Sequence, residues 1–310
     1  MNMKRIWMLL WFGLLFVSCF EDQDIQAEYI EYGRHYDVNS PDPVVRYISQ
    51  YYEKYGKIII TDPDTADYMF NFSMKYNVQI QEPRQEQEHL MKGLKFLEEL
   101  FLIGYNDEVK NKHFPYAFIL ADSIYDIKND KKVDIYTTSR YIAFLVNDEM
   151  LNKSEEEKVQ LSRSWNSIFL NYCIAKEGWT APEEFYPYTD EELKEQETRW
   201  FPVEGGTEQA PNPPLSDIYW AKGFPTANWT YNYPPDSYDW DKRVFGYEAS
   251  SSRSGYLEKF IEFLLTTPQE TIDAAIAKHE MLRKAHDVLD NSLKESFGID
   301  YRTMIYKPKK

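Results

Sequence analysis

The chain has 310 residues, 43% of them hydrophobic and 16% aromatic, which is enough apolar material for a large buried core and argues against a disordered chain. Its 51 acidic side chains against 35 basic ones give a formal net charge of −16. A field of that sign repels nucleic-acid phosphates and anionic lipid head groups, so it argues against a nucleic-acid partner and against membrane contact through a basic patch.

Residues 1–18 read as an address. Lys4 and Arg5 precede the apolar run Ile6 to Val17, followed by Ser18 and Cys19, the layout of a bacterial lipoprotein signal peptide. The box Phe16-Val17-Ser18-Cys19 is looser than the usual Leu-Ala-Gly-Cys. The other reading, an uncleaved anchor, would need about 20 apolar residues, and this run is shorter. Cleavage would leave Cys19 as the lipidated N-terminus and an outer-membrane lipid anchor. Glu21, Asp22 and Asp24 then resemble the surface-export signal of Bacteroidetes lipoproteins. Cys173 has no internal partner, lies next to Tyr172 and Ile174, and reads as a small buried apolar residue.

Residues 19–40 are expected to be a tether, and 41–310 a single domain with an α/β part to 178 and a loop-rich, helical part from 179. Pro43 opens a helix over 44–55 with Val45, Ile48, Tyr51, Tyr52 and Tyr55 on one side, closed by Gly56. Lys57 to Thr61 and Tyr68 to Met74 read as strands, and Glu86 to Gly104 as a helix with the stripe Leu90, Leu94, Leu97, Leu100, Phe101. Strands are expected at Ala117 to Ala121, Val133 to Tyr136 and Tyr141 to Val146, with a hairpin-like turn at Lys128 to Lys131.

The central helix is Glu155 to Ala175. Ser154 precedes an acidic first turn, Leu161, Trp165, Ile168, Phe169 and Tyr172 form its apolar face, and Gly178 follows its end. It carries no His, and no Asp or Glu after Glu157. Thr180 to Pro214 is a long loop with one short helix near 189–198. Residues 219–247 are densely aromatic. Trp220, Trp229, Tyr231, Tyr233 and Trp240 are candidates to stack on a ligand, against the plainer reading that they pack a loop-rich lobe. A helix follows at Tyr256 to Leu265. Thr267-Pro268-Gln269-Glu270 then reads as a capping box opening a last long helix with Ile272, Ile276, Leu282, Leu289 and Leu293 on its apolar side, and Phe297 to Asp300 is expected to end the fold before a short basic tail at Lys307 to Lys310.

No HExxH pair, CxxC, GxSxG, phosphate loop or dinucleotide fingerprint occurs. His35 and His113 are expected in exposed loops, and His89 near a helix start. His279 and His286, seven apart, would share a helix face, a weak pair without a third ligand.

In order and spacing, several segments resemble the zinc metallohydrolase lipoproteins of the Bacteroidetes that accompany SusC/SusD-type nutrient importers, a zincin-type metallopeptidase family. They are the lipoprotein start, PVVRYISQYYEKYGKIII, FILADSIYDIKND, YIAFLVND before the central helix, WAKGFPTANWTYN, EASSSRSGYLEKFIEFLLTTPQE and LKESFGID. The resemblance implies an α+β, zincin-like metallopeptidase scaffold: a small mixed sheet, the central helix beneath it and a helical C-terminal part. In that family the central helix carries HExxH, two zinc-binding His and a water-activating Glu. Aligned on the apolar pattern, those positions are Asn166, Ser167 and Leu170, and shifting the first ligand to Trp165 restores nothing. Of the family's third-ligand stretch, here Ser254 to Glu258, only Glu258 keeps an acid. The expectation is therefore a non-catalytic relative with no cofactor, its old cleft lying between Asn166, Ser167, Leu170 and Glu258, accessory to glycan or peptide import beside a SusC/SusD-type partner. The alternative is an active zinc-dependent metallohydrolase with an atypical ligand set that recruits His279 or His286.

Overall fold

The computed structural model describes residues 36–69, 77–195, 199–202, 215–226, 228–230, 244–248 and 252–308. The expected signal, Cys19, most of the tether, His35 and most of the strand foreseen from Tyr68 lie outside them. In chain order the helices are α1 Pro43–Tyr55, α2 Thr65–Tyr68, α3 Gln87–Leu100, α4 Asp107–Lys112, α5 Asp148–Leu151, α6 Glu155–Glu177, α7 Asp190–Glu195, α8 Leu215–Ala221, α9 Arg253–Thr266, α10 Gln269–Lys278, α11 Glu280–Phe297 and α12 Tyr301–Met304. The strands are β1 Ile58–Ile60, β2 Val78–Gln81, β3 Ala117–Ala121, β4 Ser123–Asp126, β5 Lys131–Lys132, β6 Ile135–Thr137, β7 Tyr141–Leu145, β8 Arg199–Pro202, β9 Asn228–Thr230 and β10 Val244–Glu248. The fold class is α+β, as expected.

Among the described residues the strands form three small sheets. The first is mixed, in the order β1-β3-β7-β6, with β1, β3 and β7 parallel and β6 antiparallel to β7. β3 and most of β7 are buried on both faces, as parallel strands with covered faces require. One face turns Ile59, Phe118, Leu120, Ile142 and Phe144 toward α1, α3 and α6. The other turns Ile60, Ala117, Ile119, Tyr141 and Ala143 toward Val78, Ile80 and Ile124 of a second, antiparallel sheet, β2-β4-β5. The β4–β5 turn places Asp130 at φ 52°, with Asp126 accepting from the Asn129 backbone and side chain. The third sheet is β8-β10-β9.

Several elements depart from expectation for physical reasons. Tyr68 ends the short helix α2, which is opened by a reciprocal Asp64–Asp67 capping box, rather than opening a strand. Strand β2, with alternating burial, was not foreseen. On α1 the fully buried apolar residues are Val44 and Tyr51, whereas Tyr52 is exposed and stacks on Tyr36, 4.4 Å between centroids. The helix expected to Gly104 ends at Leu100, followed by a 3-10 turn at Leu102–Gly104. A Cβ on Gly104 would lie 2.8 Å from the Met304 Cα, so the end of the chain packs directly over this glycine.

The expected capping box at Thr267 does not form. Thr267 closes α9, its N–H donating to the Phe263 carbonyl, while Pro268 caps α10 without a side-chain bond. The last long helix is in fact two, broken at His279, whose extended φ −117°, ψ 106° separates α10 from α11. The six-residue step from Ile276 to Leu282 in the apolar series is where the helical phase is lost.

Candidate functional site

Helix α6 positions the site. Ser154 and Glu157 form the reciprocal capping box that starts it, and Gly178 at φ 60° ends it. Trp165 and Phe169 are fully buried, Trp165 edge-on to Phe96 and Phe144, and Phe169 among Phe101, Tyr105 and Phe114. Cys173 is buried as expected, and burial pushes its thiol well above the usual range, which disfavours the thiolate.

The structure separates the residues placed at the expected metal positions. Asn166 and Leu170 have no solvent exposure and belong to the core stripe of α6, not to a cleft. Asn166 ties three segments together. Its Oδ1 accepts from the Tyr105 hydroxyl at 2.6 Å, and its Nδ2 donates to the carbonyls of Ser162 at 2.6 Å and Met304 at 3.0 Å. Ser162 Oγ donates to the Leu100 carbonyl and accepts from the Tyr306 N–H. Ser167 is half-buried and does not line the cleft either. The expected cleft between Asn166, Ser167, Leu170 and Glu258 is thus corrected: one turn along the neighbouring stripe, Asn171 and Ile174 face a cavity of about 590 Å³, and Glu258 lies on its opposite wall.

That cavity is bounded by the C-terminal half of α6, the first turns of α9 and the segment 179–186. Ser252 starts α9, its Oγ accepting from the Gly255 N–H. The Arg253 guanidinium makes a two-point contact with Glu183, at 2.9 and 2.6 Å, and lies 4.9 Å from the centre of the Tyr186 ring. Hydrogen bonding to Arg253 holds the Glu183 carboxyl below its usual range. Trp179, just past the end of α6, donates its indole N–H to Ser296 Oγ at 3.0 Å and packs edge-on to Phe297. Sequence reading singled out Glu258 but missed Asn171, Trp179 and Arg253. An indole right after a helix-closing glycine was the available signal, and nothing local distinguished the other two.

The histidines are engaged elsewhere. His279 Nε2 lies 3.0 Å from Asp217 Oδ1, and His286 lies between Asp287 at 2.8 Å and the Tyr301 hydroxyl at 3.0 Å. The break at His279 removes the shared helix face expected for the pair, and neither lines the cavity. His113 is not exposed: it is 2% accessible, 3.3 Å from Glu177 Oε1 and edge-on to Phe297. His89 is buried in α3. Among the described residues, no three His, Cys, Asp or Glu side chains are grouped so as to hold a metal ion. A zinc site needs about three protein ligands, and the cavity offers two carboxylates, one of them taken by Arg253, so these residues do not fit zinc.

Of the aromatic candidates, Trp220 is half-buried, donates its N–H to the Pro225 carbonyl at 3.0 Å and packs beside Phe263 and His279. Those contacts pack Trp220 against its neighbours. Trp229 falls in β9, and its side chain is outside what is described, as are Tyr231, Tyr233 and Trp240 altogether.

No family model matches the chain, and no curated protein matches it. Among solved structures it is similar to a crystal structure from Bacteroides caccae ATCC 43185, described as a "putative zinc-binding metallo-peptidase". The two share 10% identity with a TM-score of 0.46, over 87% of this chain and 92% of that one. Overlap this loose bears on neither activity nor ligand.

Proposed function

We propose that the protein is a non-catalytic, lipid-anchored outer-membrane lipoprotein with a zincin-like scaffold, which captures a glycan or peptide ligand for a SusC/SusD-type importer. The address rests on the basic start, apolar run and Cys19. The scaffold and the importer rest on the ordered segments that resemble the metallopeptidase lipoproteins. The observation that carries the loss of chemistry is the donor set of the α6–α9 cavity among the described residues: an amide at Asn171, a carboxylate at Glu258 with no described partner and a guanidinium-bound carboxylate at Glu183. Hydrolysis of the zincin kind needs a metal-bound water and a nearby general base. Glu258 is a carboxylate of the kind that serves as a base, but the described wall supplies too few ligands to hold the metal, while it leaves a hollow lined by polar and aromatic side chains and suited to holding a small molecule.

The deciding measurement is the metal content of the mature protein after zinc loading and desalting. Less than about 0.1 zinc per chain is expected, since a site with so few ligands loses the ion on desalting. Near-stoichiometric zinc would restore the metallohydrolase reading, and loss of that zinc in His279→Ala or His286→Ala would identify its ligands.

A further inference from the structure

The α6–α9 cavity brings an indole and several polar side chains together around one hollow. Asn171, Thr180 and Glu258 all line it, and none has a side-chain hydrogen bond or ion pair with any described residue. Around them, the potential obstructions are locked. Arg253 is held by Glu183, by the Tyr188 carbonyl at 3.3 Å and by the Tyr186 ring, and its own N–H by Asp190. Trp179 is fixed in orientation by Ser296. The cavity therefore combines an oriented indole with an amide, a hydroxyl and a carboxylate that have no partner among the described residues. Its volume of about 590 Å³ falls in the range of small-ligand sites.

We infer that this cavity is a binding site for neutral saccharides, a deepening that rests on the capture reading above. A sugar presents an apolar C–H face and a rim of hydroxyls that both donate and accept. The first matches an indole, and the second matches Asn, Thr and carboxylate groups, which together offer both roles. Charge selects among sugars. The Arg253 and Glu183 charges cancel, leaving the Glu258 carboxylate, so uronates and sulfated sugars are repelled in a chain already at −16. Geometry selects against an extended peptide. Peptide capture commonly adds a strand to an open sheet edge, and among the described residues the walls here are two helices and the 179–186 segment, with no strand. The Glu258 carboxylate accepts from paired hydroxyls, Asn171 reads both donor and acceptor at one edge, and Trp179 sets the plane of the ring.

The test uses the full-length lipoprotein in detergent on an array of neutral oligosaccharides of glucose, mannose, galactose, xylose and N-acetylglucosamine, beside uronate-containing and sulfated ones. Trialanine and pentaalanine serve as peptide probes. Binding confined to neutral sugars is expected, with tryptophan fluorescence changing on titration. Asn171→Ala and Glu258→Gln, both on the cavity surface, should each weaken it about tenfold at unchanged melting temperature. No neutral sugar bound, uronates bound as well, or alanine peptides bound in place of sugars would each overturn the assignment. Sugar binding unaffected by the Asn171→Ala/Glu258→Gln double variant would also overturn it, while leaving capture standing at another surface. Stoichiometric zinc with no sugar bound would instead bring down the non-catalytic capture reading itself.

Discussion

Asn166 illustrates how a residue type can mislead at a single position. An amide where a metal ligand is expected reads as a degenerate site, yet this one accepts from Tyr105 and donates to Ser162 and Met304 in the dry core. Buried polar groups with all partners in place are costly to disturb, because each orphaned partner loses its solvation without recompense. Asn166→His, the change that would rebuild the first metal ligand, should therefore lower unfolding free energy by about 2–4 kcal/mol. Asn171→His, on the half-buried cavity wall, should change it by no more than about 0.5 kcal/mol. Urea denaturation of the two variants checks both, and equal stability would contradict the placement of Asn166. His113 makes a second residue-scale case. Burial pushes its pKa below the ordinary 6.5, outweighing the opposing hydrogen bond to Glu177. Its folded value lies below its unfolded one, so its contribution to stability is complete above about pH 6.5 and is lost as pH falls through the folded value. Denaturation midpoints measured from about pH 7 to about pH 5 should fall more steeply in the native chain than in His113→Gln.

At the scale of elements, local chemistry was legible wherever it needed no distant partner. Ser154 with Glu157, Gly56 after α1 and Gly178 after α6 all cap as their residue types imply, because the bonds involved close within a turn. The apolar runs of β3 and β7 likewise read as strands, and the structure shows them largely covered on both faces. Thr267 shows the limit. Its Thr-Pro-Gln-Glu pattern fits a capping box, but the preceding helix runs on to Thr266 and takes the Thr267 N–H for its own last bond. Two helices compete for one residue, and the sequence holds no weight for which wins. The break at His279 was written in the six-residue apolar step, yet it takes the Asp217 carboxylate of α8 to engage the histidine left outside both helices.

Across the whole molecule, the two faces of the β1-β3-β7-β6 sheet carry separate apolar clusters, and the chain after Gly298 completes the larger one. Ile299, Tyr301 and Met304 are buried, Met304 and Tyr306 bond to Asn166 and Ser162, and Met304 lies against Gly104. Ending the chain after Gly298 should uncover this face and lower the melting temperature by 10 °C or more, roughly what losing several kcal/mol of buried side chains implies in a protein this size. Retention of the native melting temperature would show the segment to be an appendage. By itself, the sequence determined the central helix and its caps and the absence of an HExxH motif, since each depends on residue identity, on the 3.6-residue period or on bonds within one turn, while the α+β class was what the family resemblance implied. Which stripe of α6 faces the cavity, where His113 lies, and that Asn171, Trp179, Arg253 and Glu258 line one hollow were decided only by tertiary structure. Those facts depend on contacts between residues tens of positions apart, whose relative rotation no local pattern encodes.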